Sequence, residues 1–183
     1  MSTAVLDVKP ITETDFVLLE KRFPQGGIAK HAERFLRQQK GEAVYLIAWF
    51  QGQPVGHSLL KWGGSQDEHV AKQLSVACPD IEDLFVLAEF RSQGIGSQLL
   101  CSAEQLSLEQ GYTHIGLSVG TETNEPAHRL YERLGYHDVY FGEYPEQGEY
   151  LDEQGQCHTW KENCIYLIKD LKAKNTLYNS ETA

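Results

Sequence analysis

Apolar positions run unbroken through residues 43–50 and 84–87, recur with interruptions through 55–62, and elsewhere return at intervals of three and four. Unbroken runs of that length predict buried strands, and the spaced ones predict helices with one apolar face. From the start of the chain, residues 5–10 read as a short strand and 11–22 as a helix capped at Thr12 or Thr14. A turn at 24–27 leads to a second helix over 28–39, which carries Ala32, Phe35 and Leu36 inward and ends at Gly41. Residues 43–50 and 55–62 pair as an antiparallel hairpin through Gln51, Gly52, Gln53 and Pro54. The stretch 63–79 is polar and predicts one short helix at most.

In the second half, the pattern predicts a strand over 80–87, a glycine turn, a helix to Gln110 closed by Gly111, and a strand over 113–119. Strand, helix and strand in that order form a right-handed unit with parallel strands. The next helix starts near Asn124, has Pro126 in its first turn, and aligns Ala127, Leu130, Tyr131 and Leu134 on one stripe before Gly135 ends it. Two strands over 136–143 and 159–168 follow. Residues 173–183 read as a loose tail after one domain spanning 1–172.

The turn after the 80–87 strand reads Arg91, Ser92, Gln93, Gly94, Ile95, Gly96. Glycines there let main-chain amides approach a ligand, and the following helix points its positive end at it. Such a bend is suited to a pyrophosphate, with Arg91 as a further counter-charge. Two other phosphate loops fail on the letters. Ser97 and Gln98 stand where a Walker loop needs Lys followed by Ser or Thr. Leu99 stands where a dinucleotide fingerprint needs its third glycine. Farther on, Asn124 and Tyr131 lie about two turns, or ~10 Å, apart on one helical face, so an amide and a phenol are presented together.

With these two motifs the chain resembles the GNAT superfamily of N-acetyltransferases. Arg91 to Gly96 is similar to the family turn Q/R-x-x-G-x-G/A, and LFVLAEFR, from Leu84 to Arg91, is similar to its LxVxPxxR approach, with Ala88 in place of Pro. NEPAHRLYERLGY, from Asn124 to Tyr136, is similar to NxxAxxLYxxxGF. The resemblance implies a single-domain α/β fold of the α+β type. Its mixed, mostly antiparallel sheet would have about seven strands and carry helices on both faces. It implies acetyl-CoA as cosubstrate and no metal. The amides of Leu84, Phe85, Val86 and Leu87 would hold the pantetheine arm and polarise the acetyl carbonyl, and Ser92, Gln93, Gly94, Ile95, Gly96 and Ser97 would take the pyrophosphate. Asn124 would bond the coenzyme arm. Tyr131 would protonate the leaving sulfur. The base varies in position across the family. Asp80, Glu82 and Asp83 all lie at the start of the strand, with Glu82 favoured, directly or through water, and His57 a rival. The reaction implied is direct transfer to a primary amine in a ternary complex. A small-molecule amine is favoured over a protein N-terminus or lysine, and the competing reading is a non-catalytic acyl-CoA-binding module.

Composition narrows the partners. The 183 residues, 41% of them apolar, suffice for one core. A formal net charge of −10 repels a phosphate backbone, which argues against nucleic acid and favours a cationic acceptor. No apolar run is long enough to cross a membrane, and residues 1–10 have no secretory pattern, so a cytoplasmic protein is expected. Cys78, Cys101, Cys157 and Cys164 lack zinc spacing and read as reduced thiols; Cys157 beside His158 would point to the opposite strand face. Glu143, Glu146, Glu149, Asp152 and Glu153 crowd one stretch that either lines an acceptor pocket or forms a solvated loop. Phe23, Gln25, Tyr144, Tyr150 and Trp160 are positioned to contribute to acceptor choice, and a homodimer through the late strands is compatible with the pattern.

Overall fold

The computed structural model describes residues 6–24, 27–122, 124–152, 154 and 156–172. Gln25, Glu153 and the 173–183 tail lie outside the described residues. In chain order the elements are β1 (Leu6–Pro10), α1 (Phe16–Arg22), α2 (Gly27–Gln39), β2 (Ala43–Phe50), β3 (Gln53–Lys61), α3 (Glu68–Ala71), β4 (Asp80–Val86) and α4 (Ile95–Glu109). After these come β5 (His114–Gly120), α5 (Glu125–Arg133), β6 (His137–Asp138), β7 (Tyr144–Leu151) and β8 (Cys157–Asp170). The strands make an 8-stranded sheet in the order β1-β2-β3-β4-β5-β8-β6, with β7 added on β8. Only β4 and β5 run parallel; the other pairs are antiparallel.

Each face of the sheet has its own core, because strand alternation sends successive side chains to opposite sides. On one face Tyr45, Ile47, Leu59, Leu19 and Phe23 pack beneath α1 and α2. On the other, Leu46, Leu60, Ile81, Leu99, Leu100 and Ala103 pack with Tyr131 and Tyr136 beneath α4 and α5. Leu99 and Leu100 are fully enclosed; burying such a side chain contributes about 2 kcal/mol. A buried ion pair, Lys169 Nζ to Glu104 Oε1 at 2.5 Å, joins α4 to β8, and the Tyr136 hydroxyl donates to the same carboxylate. Among the described residues no helix is long and apolar enough to cross a membrane.

Local chemistry explains most of the boundaries. The Asp15 carboxylate accepts from the Thr12 N–H at 2.7 Å and the Thr12 hydroxyl at 2.8 Å, which places the cap at Thr12 and opens the segment with a short 3-10 turn. Gln51 and Gly52 both have positive φ, so a two-residue hairpin loop forms and β3 begins at Gln53 rather than after Pro54. At the end of α5, Gly135 takes φ 91° while its N–H bonds Glu132 and the Tyr136 N–H bonds the Tyr131 carbonyl.

Four expectations need correction. Leu36 is 54% exposed, and the inward side of α2 instead carries His31 and Arg34. Phe23 is 1% exposed in the core, where it cannot meet an acceptor. The strand expected over 136–143 shrinks to β6: Asp138 accepts the Tyr140 N–H at 2.7 Å, and Tyr140 and Gly142 both turn to positive φ. The acidic stretch is not a loop, since β7 pairs with β8 from Tyr144 through Leu151.

Candidate active site

A break in the sheet makes the site. His57 opposes Phe85, yet Leu59 opposes Glu82, so Asp83 and Leu84 together face Ser58, and Asp83 takes φ 53°. An extra residue of this kind bends its strand. Accordingly β4 and β5 pair only at Asp80 with Gly116 and Ile81 with Leu117, and beyond Ile81 they separate. The Leu87 N–H bonds the Val55 carbonyl at 3.0 Å, so Leu87 has no amide left for a ligand, while alternation turns the Val86 N–H toward the gap.

Beyond the gap lies the glycine turn. Gly94 is the N-cap of α4 at φ 81°, a conformation that side chains with a Cβ rarely adopt, and Ser92 also has positive φ. The first backbone bond into α4 is Gln98 N–H to the Gly94 carbonyl. The amides from Ser92 to Ser97 therefore have no partner among the described residues and converge at a helix N-terminus. Arg91 is exposed, and its Nε donates to the Val86 carbonyl at 3.0 Å, tying the turn to the end of β4. Gly96 has a different reason: a Cβ there would come within 3.3 Å of Leu130, so it sets the approach of α5 to α4.

A cleft of about 820 Å³ opens on the other side of the gap. Leu84, Tyr131 and Asn124 line it, while Arg91 to Ser97 lie outside it. Asn124 heads α5 without a side-chain cap bond, and its amide has no hydrogen bond among the described residues. Tyr131 is 7% exposed, its ring stands edge-on to Tyr136, and burial pushes its phenol up to about 12. Its hydroxyl has no hydrogen-bond partner among the described residues.

The rest of the cleft is made by charged side chains from distant segments. Lys61 Nζ lies 3.0 Å from Asp80 Oδ2 and 2.7 Å from Glu82 Oε2. The Tyr166 hydroxyl donates to Asp80 Oδ1 at 3.0 Å, a reach possible because Gly116 has no Cβ; one would fall 2.3 Å from that hydroxyl. Burial raises the Asp80 carboxyl to about 6, with Lys61 and Tyr166 opposing the rise. Glu82 lies on the open side, about half exposed. Asp83 accepts Arg34 at 2.7 Å and Lys30 at 2.8 Å from α2. Its burial would raise the carboxyl, but His57, Arg34 and Lys30 hold it down to about 2.

On the far wall, Glu146 of β7 stands opposite Glu162 of β8, and both line the cleft with Glu149, Tyr150, Trp160 and Asp67. Of the acceptor candidates, then, Tyr150 and Trp160 line the cleft. Tyr144 is buried and bonded to Ser118 at 2.7 Å. His57 sits among Phe23, Tyr45 and Phe85, and burial drives it down to about 3, so it is neutral and enclosed, unsuited to act as a base. Cys157 and His158 are exposed and apart from the gap, His158 being paired with Asp152 at 2.7 Å. Among the described residues no three His, Cys, Asp or Glu are grouped to hold a metal ion.

Sequence reasoning missed Lys61 and Arg34. A lysine directly after the apolar pair Leu59 and Leu60 at the end of a strand, and a helix stripe of Lys30, His31 and Arg34 where apolar residues were expected, were the available signals.

Known proteins share the sequence family and the fold. Residues 11–136 match the family described as Acetyltransferase (GNAT) family. The N-alpha-acetyltransferase of Sulfurisphaera tokodaii is 28% identical over 142 residues, covering 73% of this chain and 76% of the relative. Among solved structures, an N-acetyltransferase from Staphylococcus aureus Mu50 superposes with a TM-score of 0.66 at 16% identity, covering 92% of this chain and 100% of the other. The PaiA N-acetyltransferase of Thermoplasma acidophilum, solved in complex with coenzyme A, superposes with a TM-score of 0.61 at 13% identity, covering 91% and 99%. At such identities the structural likeness speaks for the fold.

Proposed function

The chain belongs to the acetyltransferase (GNAT) family, and from that premise we propose that it transfers an acetyl group from acetyl-CoA directly to a primary amine bound in the cleft. The observation that carries this reading is the Tyr131 phenol, buried and without a partner among the described residues, in the same cleft as Leu84 and the Asp80, Lys61 and Glu82 cluster.

Each task falls to a group with suitable chemistry. The unbonded amides from Ser92 to Ser97 take the pyrophosphate, with Arg91 near it. The opened edge of β4 along Leu84, Phe85 and Val86 receives the pantetheine arm, and a main-chain N–H there polarises the carbonyl as charge develops on its oxygen. Asn124 bonds the arm from the opposite side. The acceptor enters as an ammonium, drawn by Glu146, Glu149, Glu162 and Asp67. Glu82 or Asp80 takes its proton, directly or through water, and the free amine attacks. Tyr131 gives its proton to the departing sulfur; a phenol held up to about 12 keeps that proton until the thiolate forms.

A small cationic amine is the favoured acceptor because the far wall is acidic. A protein N-terminus is the second reading, supported by the likeness to the N-alpha-acetyltransferase of Sulfurisphaera tokodaii. Release of free thiol from acetyl-CoA, followed over a panel of polyamines, amino acids and short peptides, tests both. Thiol released with one class names the acceptor. Coenzyme binding by calorimetry with no release from any class would favour the non-catalytic binding module.

A further inference from the structure

We propose that Lys61 is a positioning residue for the base: wedged between Asp80 and Glu82, it sets one ammonium against two carboxylates, so the trio presents one net negative charge to the cleft. The inference rests on the reading above, in which one of these carboxylates takes the acceptor's proton. Lys61 and Asp80 are each 5% exposed, and the Lys61 ammonium touches both carboxylates at 3.0 and 2.7 Å. Asp80 is buried, and a carboxylate so placed is favoured in its charged form by a cation in direct contact with it.

Charge counting gives the function. Asp80, Glu82 and Lys61 sum to one negative charge, which attracts an ammonium. When the ammonium N–H bond breaks, its proton moves to a carboxylate oxygen, and the nitrogen keeps the electron pair with which it attacks the thioester. The trio is then neutral and returns the proton to water through the open side at Glu82, which is about half exposed. Charged and titratable groups press on Asp80 and Lys61 from several elements. They are Glu82 on β4, Tyr166 on β8, Tyr144 on β7 and Cys78 ahead of β4. Asp83, with its partners Lys30 and Arg34, lies beyond Glu82 on the same cleft wall.

The test follows the Asp80 carboxyl by carbon-13 NMR titration, its signal assigned with Asp80→Asn. Lys61→Gln keeps a donor but removes the charge, and should move the Asp80 midpoint up by about one pH unit or more. Lys61→Arg should restore it to within about 0.3 of the wild-type value. Glu82→Gln changes only a half-exposed side chain, and should move the midpoint down, since Glu82 raises Asp80. An Asp80 midpoint unmoved in Lys61→Gln, or unmoved in Glu82→Gln should the former not fold, overturns the proposal. Turnover separates the two layers. Full activity in both Glu82→Gln and Asp80→Asn removes the base assignment itself, whereas lost activity with an unmoved midpoint removes only the role of Lys61.

Discussion

The two sides of the gap, one proposed for the coenzyme and the other for the acceptor, are built from different materials. From Arg91 to Ser97 the protein offers main-chain amides, arranged by one local bend and the start of one helix. Across β4 the acceptor cleft is made of side chains from α2, β3, β4, β7 and β8, segments brought together only by the sheet. The first side is nearly indifferent to which side chains it carries, and the second consists of little else. A coenzyme common to many enzymes can be held by a conserved shape, whereas an acceptor has to be chosen by charges and rings that differ from chain to chain.

Four experiments can break or sharpen that contrast. The largest effect belongs to the group that faces both sides. Tyr131→Phe should lower kcat by about a hundredfold, within the range for general acids, while acetyl-CoA affinity by calorimetry stays within about twofold. Full turnover would remove the acid role. Next, Gly94→Val should weaken acetyl-CoA binding by about tenfold, because forcing a branched residue toward φ 81° costs about 1–2 kcal/mol and disturbs the amide array. A Cβ at Gly94 would meet nothing within 4 Å, so strain and not collision is the cause. An unchanged coenzyme Kd would contradict the location of the pyrophosphate.

The acceptor side predicts the complementary result. Glu146→Gln combined with Glu162→Gln should raise the acceptor KM by about three- to tenfold, more at low than at high ionic strength. Coenzyme affinity should not change, and a weakened coenzyme would mean that the two sides are not separable. The smallest effect is on stability. His57 is held down to about 3 from 6.5, so its contribution is present above 6.5 and declines as pH falls toward 3. Asp80 works the other way, since a carboxyl raised to about 6 contributes below 3.8 and loses that contribution as pH rises through 6. The His57 range is the wider one, so Tm from scanning fluorimetry should fall modestly from pH 7 to 4, and more steeply in Asp80→Asn. A Tm that rises on acidification would contradict the buried neutral state of His57.

The unevenness of what could be read ahead of the structure follows the same division. The hairpin of β2 and β3, the parallel pair of β4 and β5, the bend at Gly94 and the face of α5 all came from short-range patterns. Leu36 was expected inside because helical spacing counts apolar residues, yet α2 lies over Asp83 and Tyr45, where Arg34 gains an ion pair and stacks 4.8 Å from the tyrosine ring. The acidic stretch was ambiguous because Glu146 and Gly148 fit a strand poorly by propensity, and only pairing with β8 makes them one. Lys61 was overlooked because the carboxylates that hold it are contributed by a strand beyond a polar stretch.

What the chain by itself determined is whatever a few neighbouring residues can enforce: strand runs, caps, a positive-φ turn, a phenol two turns from an amide. What only the tertiary structure decided is which distant charges share a buried space, how far the bulge at Asp83 parts β4 from β5, and which basicity Asp80 assumes there. The physical reason is range. Backbone sterics and local hydrogen bonds act within a turn or two, while desolvation and Coulomb interactions depend on neighbours that the linear order does not name.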